Sequence, residues 1–221
     1  MSSSTIDIYL SHNTLYMNRA TWEKSYLKLR RGRKLRERRL RLFGFAPNSR
    51  ILELGCGDGL NLQIMRALGY TNIYGLDSSP ELLSYIPKDI PRIAADVCNT
   101  AIASNSFDII FIDSVLHHLY NPQTCIKEIR RILKPNGCLC ILEPRNSFFR
   151  KLFDKLTFSY LSFFIPFLRD RAVTLKEEFE LYSHWLKIAP NLKDYLSRQS
   201  FKIIFWKTWL IGMGIKCELT K

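Results

Sequence analysis

A chain of 221 residues with 47% apolar and 24% charged content can bury the core of one large globular domain, and aromatic or branched residues recurring from Trp22 to Ile215 exclude extended disorder. The six cysteines at 56, 98, 125, 138, 140 and 217 form no Cys-x-x-Cys pair and no zinc-like spacing with histidine, so reduced thiols and no metal are expected. The net charge of +13 is concentrated, because Lys28 to Arg41 holds nine basic residues against the single acid Glu37.

The start, Met-Ser-Ser-Ser, lacks a signal pattern, and nowhere do about 18 uncharged apolar residues run together. A cytoplasmic protein is expected, with any membrane contact peripheral and on the inner face. From Thr21 to Phe43 the residues Trp22, Tyr26, Leu29, Leu40 and Phe43 recur at helical spacing, and Arg33 and Arg36 interrupt the stripe. Residues 1–49 are read as a helical N-terminal cap carrying this basic amphipathic helix, and residues 50–221 as the core.

From Arg50 short apolar runs alternate with helical patterns: ILELG, IYGLD, IAADV, FDIIFID and CLCILEP. That alternation predicts an α/β fold, a mostly parallel sheet with helices on both faces. A helix is expected over about Pro122 to Leu133, closed by a Lys-Pro-Asn-Gly turn. After Pro144 an aromatic-rich helical insertion is expected at about 146–200, with helices at Arg150 to Tyr160, Leu175 to Leu186 and Asn191 to Gln199. The end reads as an antiparallel hairpin of Phe201 to Trp209 and Gly214 to Leu219, joined by Gly212-Met213-Gly214.

Chemistry concentrates at the strand ends. Glu53-Leu54-Gly55-Cys56-Gly57-Asp58-Gly59 follows an apolar strand and precedes a helical pattern near Leu62, a turn that needs glycines where φ is positive and where a ligand rests on backbone. Its spacing is not the dinucleotide fingerprint, and no Gly-x-x-x-x-Gly-Lys-Ser/Thr phosphate loop occurs. Asp77 ends the next run, 18 residues beyond Gly59, where a carboxylate can accept from two ribose hydroxyls. Asp96 ends a third run, placed to accept from an adenine amino group, and Asp113 a fourth, followed by Ser114-Val115-Leu116-His117-His118.

Taken in order, E-L-G-C-G-D-G, Y-G-L-D-S-S, A-A-D-V, F-D-I-I-F-I-D-S-V-L-H-H-L and L-K-P-N-G-C-L-C-I-L-E-P make the chain similar to the class I S-adenosylmethionine-dependent methyltransferases. The resemblance, to the broad small-molecule, type 11-like branch with its quinone-biosynthesis enzymes, covers Arg50 to Pro144 and the hairpin in outline. It implies a Rossmann-like seven-stranded sheet and S-adenosyl-L-methionine as cofactor. In that reading Glu53, Gly55, Cys56, Gly57 and Gly59 contact its methionine part, Asp77 with Ser78 its ribose, and Asp96 with Val97 its adenine. Asp113 faces the methionine or the acceptor. A sulfonium without phosphates suits a cleft rimmed by Glu53, Asp77, Asp96 and Asp113.

The protein's work in methyl transfer is to align the acceptor and take up its proton. His117 and His118 are the first candidates for that base, Glu143 an alternative base or acceptor contact. Tyr182 and His184 read as packing or acceptor-shape residues, and His12 carries no signal. The expected acceptor is a small or lipid-like molecule methylated on oxygen or carbon. Alternatives are a tRNA or rRNA methyltransferase, for which no RNA-binding motif is found, and a non-catalytic binding module. A nicotinamide-dependent reductase ranks last. Lys28 to Arg41 and Phe148 to Leu168 suggest peripheral contact with an anionic membrane.

Overall fold

A computed structural model describes residues 32–220. Most of the expected cap, including Trp22, Tyr26, Leu29 and His12, lies outside the described residues. What is described of it is helix α1, Arg33–Phe43, which ends at Gly44 in the left-handed conformation. Leu40 and Phe43 are buried. Arg36 lies four and seven residues before them, hence on the same face. The arginine that interrupts the stripe is thereby aimed at the interior.

Seven strands form one sheet in the order β3-β2-β1-β4-β5-β7-β6. They are β1 Ile51–Leu54, β2 Ile73–Asp77, β3 Arg92–Ala94, β4 Phe107–Asp113, β5 Leu133–Pro144, β6 Phe201–Thr208 and β7 Gly212–Leu219. Pairing is parallel from β3 through β5, while β7 runs antiparallel to both β5 and β6. The expected fold class is the one observed.

Both sheet faces are buried, which is why the central strands read as unbroken apolar runs. Leu52, Ile110, Ile112, Leu139 and Ile141 pack on one side with Trp185 and helix α4, Pro122–Ile132. On the other, Ile51, Ile109, Phe111 and Cys140 pack with α1 and with helix α2, Leu60–Ala67. Helix α3, Pro80–Ser84, follows β2, with the Ser79 hydroxyl accepting from the Leu82 amide as its N-cap.

Several boundaries differ from expectation, two of them in the last three strands of the chain. The segment Lys134 to Gly137 is not a turn ahead of the strand: β5 begins at Leu133, paired with Phe107, and a register shift with Asn136 at φ 62° absorbs the irregularity inside the ladder. The hairpin turn is Trp209 to Ile211, because Gly212, Met213 and Gly214 are already paired with β5 and β6. Gly214 is needed there for packing, since a Cβ would stand 2.6 Å from the Trp209 ring.

Between β5 and β6 lie helices α5 Phe148–Thr157, α6 Leu161–Phe164, α7 Pro166–Glu177, α8 Phe179–Ile188 and α9 Leu192–Arg198. The Trp185 indole donates to the Pro144 carbonyl at 2.9 Å and the Asn146 amide to that of Leu186, which fixes this cover to the end of β5.

Candidate functional site

β1 is flanked by β2 on one side and β4 on the other, so chain order reverses there and a crevice opens beyond the strand ends. A cavity of about 740 Å³ occupies it, lined by the β1–α2 loop, the ends of β2 to β4 and the cover helices.

Of the residues expected from sequence, Glu53, Gly55, Cys56, Gly57, Asp77, Ser78, Asp96, Val97, Asp113, His117 and His118 line this one cavity. Gly59 and Glu143 do not. Gly59 adopts φ 72° at the start of α2, and a Cβ there would meet Ile86 at 2.7 Å, so its part is to let the turn close. Glu143 is buried behind His117.

The glycine loop is tied to β2 through Asp77, whose carboxylate accepts from the Gly57 and Ser79 amides, each at 2.8 Å. Asp96 accepts from the Cys98 amide at 2.7 Å. The Cys56 thiol is buried, and burial raises its pKa, which makes it packing and not a nucleophile.

At the floor, Glu53 is almost fully buried; Oε1 accepts from the Asn61 amide at 2.7 Å, and Oε2 has no hydrogen-bond partner. Burial pushes this carboxyl well above its ordinary range, against the opposing Asn61 bond. Beside it, Asp113 Oδ2 accepts from Arg36 at 2.7 Å and from Asn61 at 3.2 Å. Sequence reading missed Asn61 altogether and left Arg36 only as a flaw in the stripe; its spacing to Leu40 and Phe43 was the available signal.

Past Asp113 the chain makes a sharp turn with Ser114 at φ 65°, a strained conformation for a residue with a Cβ. The turn leads into a 3-10 segment, Leu116–His118, whose start is held by Glu143: its Oε1 accepts from the Val115 and Leu116 amides at 2.7 and 2.6 Å. Glu143 Oε2 meets His117 Nδ1 at 2.8 Å. Burial drives the pair apart, His117 down to about 3, with Arg150 adding to the effect, and Glu143 up to about 8 despite its two amide donors. Together they hold one exchangeable proton across that bond.

His118 Nδ1 stands 3.3 Å from Glu178, and the donors of His117, His118 and Glu178 lie within 4.8 Å of one another. The His117–Glu143 hydrogen bond and the approach of His118 to Glu178 account for this grouping. From the cover come further lining residues that the sequence did not single out: Arg150, Phe167, Arg171 and Thr174. Of the two residues read as packing or acceptor-shape residues, Tyr182 lines the cavity and His184 stacks on Tyr120.

Comparison with known proteins adds to this geometry. Residues 52–141 match a family model described as a methyltransferase domain. A 2-phytyl-1,4-naphtoquinone methyltransferase of Trichormus variabilis is 31% identical over 185 residues, 76% of this chain and 78% of that one. A demethylmenaquinone methyltransferase of Corynebacterium urealyticum is 31% identical over 108 residues, 49% of this chain and 47% of its own. Among solved structures, a SAM dependent methyltransferase from Aquifex aeolicus superposes with a TM-score of 0.63 at 18% identity, covering 90% of this chain and 98% of that one.

Proposed function

Since this chain belongs to the class I S-adenosylmethionine-dependent methyltransferases and is an enzyme of that kind, we propose that its cavity divides into a cofactor half at β1 to β3 and an acceptor half under the cover. The observation that carries this reading is the set Glu53, Asp77, Asp96 and Asp113, four carboxylates at four strand ends around a single cavity. Such a rim repels phosphates and suits a cation. The unpartnered, buried Glu53 Oε2 is placed for an ammonium group, and Arg36 beside it for the carboxylate that accompanies it in methionine. Asp77 takes the ribose hydroxyls, Asp96 the adenine amino group, and Val97 packs on the ring.

When bound, the cofactor supplies an electrophilic methyl group on a sulfonium. The chain's own residues bind the acceptor, exclude water and move its proton. Glu143, by accepting from Val115, Leu116 and His117, fixes the imidazole so that Nε2 is turned away from the carboxylate. Once the pair has lost its shared proton, His117 keeps hydrogen on Nδ1 and Nε2 takes a proton from an acceptor hydroxyl or carbon acid.

The acceptor is small or lipid-like. Relatives named for quinone substrates support this, as does the apolar cover. A nucleic-acid acceptor is less favoured, because three arginines of the basic helix are engaged within the protein: Arg36 bonds Asp113, Arg41 bonds Glu37 and Arg39 stacks on Trp209. The exposed aromatics of α5 and α6, with Lys151 and Lys155 beside them, fit peripheral contact with an anionic lipid surface.

Calorimetric titration with S-adenosylmethionine and S-adenosylhomocysteine, with NADH as control, tests the cofactor half. Micromolar binding of both adenosyl ligands is expected, weakened at least ~10-fold, or about 1.4 kcal/mol, in Asp77→Ala. Binding of NADH in their place would overturn it.

A further inference from the structure

Arg150 stands at the acceptor end of the cavity in a position that three physical effects disfavour. It lies in the first turn of α5, where the helix dipole is positive and a cation is unwelcome. It is largely withdrawn from water, and that burial lowers its pKa. Arg171, a second guanidinium, adds repulsion.

The direct contacts of the Arg150 guanidinium within the protein are neutral, and Asp154 and Glu143 favour its charge only from a distance. Arg150 Nε donates to the Ile211 carbonyl at 3.1 Å, and the guanidinium carbon sits 5.6 Å from the centre of the Tyr182 ring. The nearest carboxylate on its own helix, Asp154, is already engaged. Its Oδ1 accepts from Arg171 at 2.5 Å and its Oδ2 from the Tyr182 hydroxyl at 2.9 Å. Among the described residues, Arg171 is thus matched by a carboxylate, and the hydrogen bonds of Arg150 include none to one. Glu143, the other acid near it, is occupied by the Val115 and Leu116 amides and by His117.

We propose that Arg150 is the anchor for a carboxylate on the acceptor, and that the enzyme therefore methylates small or lipid-like acids in preference to their neutral counterparts. This deepens the proposed function and rests on it. A planar guanidinium with both Nη atoms open to a carboxylate gives two parallel charge-assisted bonds and fixes orientation as well as affinity. Tyr182 places the anchor relative to the reacting end: its ring carries Arg150 on one side and meets the His117 ring edge-on, centroids 6.0 Å apart. An acid held at Arg150 thus presents the remainder of its frame toward His117. The anion also offsets the Arg150 charge, which adds to burial in disfavouring protonation of His117.

The test uses the full chain saturated with S-adenosylhomocysteine and two probes of one shape, 2-hydroxybenzoate and 2-hydroxybenzamide, titrated calorimetrically. Wild type is expected to bind the acid at least ~10-fold more tightly than the amide. Arg150→Met is expected to abolish that preference, and Arg150→Lys to retain part of it, as a point charge in place of a fork. Affinity for S-adenosylhomocysteine, unchanged in both variants, reports that the fold and cofactor half are intact. Equal binding of acid and amide by wild type, or a preference that survives Arg150→Met, would overturn the proposal and leave the cofactor reading standing. Failure of S-adenosylhomocysteine to bind wild type would instead sink the reading beneath it.

Discussion

Glu143 shows how a single side chain joins fold to chemistry. It is the penultimate residue of β5, so the strand itself delivers it beneath the Ser114 turn, where it caps the Leu116–His118 segment and holds His117. With the Glu143 carboxyl pushed up to about 8 and His117 down to about 3, the pair carries its proton near neutral pH and loses it as pH rises. Only the deprotonated pair has an Nε2 lone pair and a hydrogen on Nδ1. Turnover is therefore expected to climb as pH rises toward and through about 8, and the limb shifts lower if a bound sulfonium favours the negative pair. Glu143→Gln would place an amide hydrogen against Nδ1, invert the tautomer, and cost on the order of 10²–10⁴-fold in kcat. Steady-state rates across pH, beside S-adenosylhomocysteine affinity, check this; a limb that persists in the variant would refute it. The stability signs are separate. Glu143, raised, favours the folded state below its unfolded pKa of 4.5, and that contribution is lost as pH rises to about 8; His117, lowered, penalises folding as pH falls from 6.5 to about 3. Between 4.5 and 6.5 the two slopes oppose each other, so melting temperature should be flattest there.

At the scale of elements, the parallel strands were legible because each is buried on both faces and so appears as an unbroken apolar run, and β4 and the later part of β5 agree with expectation almost to the residue. β3 was legible in place but not in extent: the run Ile93 to Val97 reads as strand, whereas the strand is Arg92–Ala94 and Asp96 follows it in a bridge to Asn99, because an edge strand has a single neighbour to pair with. The cofactor loop was legible for a different reason, namely that its glycines are forced by backbone geometry. Gly59→Ala combines a left-handed φ with a contact of 2.7 Å to Ile86. Roughly 1–3 kcal/mol of strain is expected, with overpacking adding a similar amount. Urea denaturation should show the lower midpoint at unchanged slope; a midpoint equal to wild type would mean that α2 can shift to relieve both. The acceptor half was legible only as a helical insertion and in Tyr182; Arg150, Arg171 and Thr174 were not singled out, since they reach the cavity from helices whose packing angle no periodicity encodes.

At the scale of the molecule, exposed aromatics of the described residues gather on the cover helices that also line the acceptor half. Phe167 and Arg150 line the cavity, while Tyr160, Phe163 and Phe164 on the adjoining turns are 85%, 76% and 82% exposed. Three large aromatics presented together exceed what scattered surface residues require. No helix among the described residues is long and apolar enough to cross a membrane. Insertion of each ring contributes roughly 1.5–3 kcal/mol, a term that salt does not screen. Lys151 and Lys155 add about 1 kcal/mol each toward an anionic surface, and that term is screened. The two contributions are separable by salt. Sedimentation with phosphatidylglycerol-containing vesicles should leave the wild-type protein partly bound at high salt. Phe163→Ser with Phe164→Ser should abolish the salt-resistant part, and Lys151→Glu with Lys155→Glu the salt-sensitive part, with melting temperature unchanged because all four side chains are exposed. Binding that ignores the aromatic pair would show that the surface covers some other apolar partner. Loss of the salt-resistant binding in that variant would mean that the helices lining the acceptor half also dock on lipid.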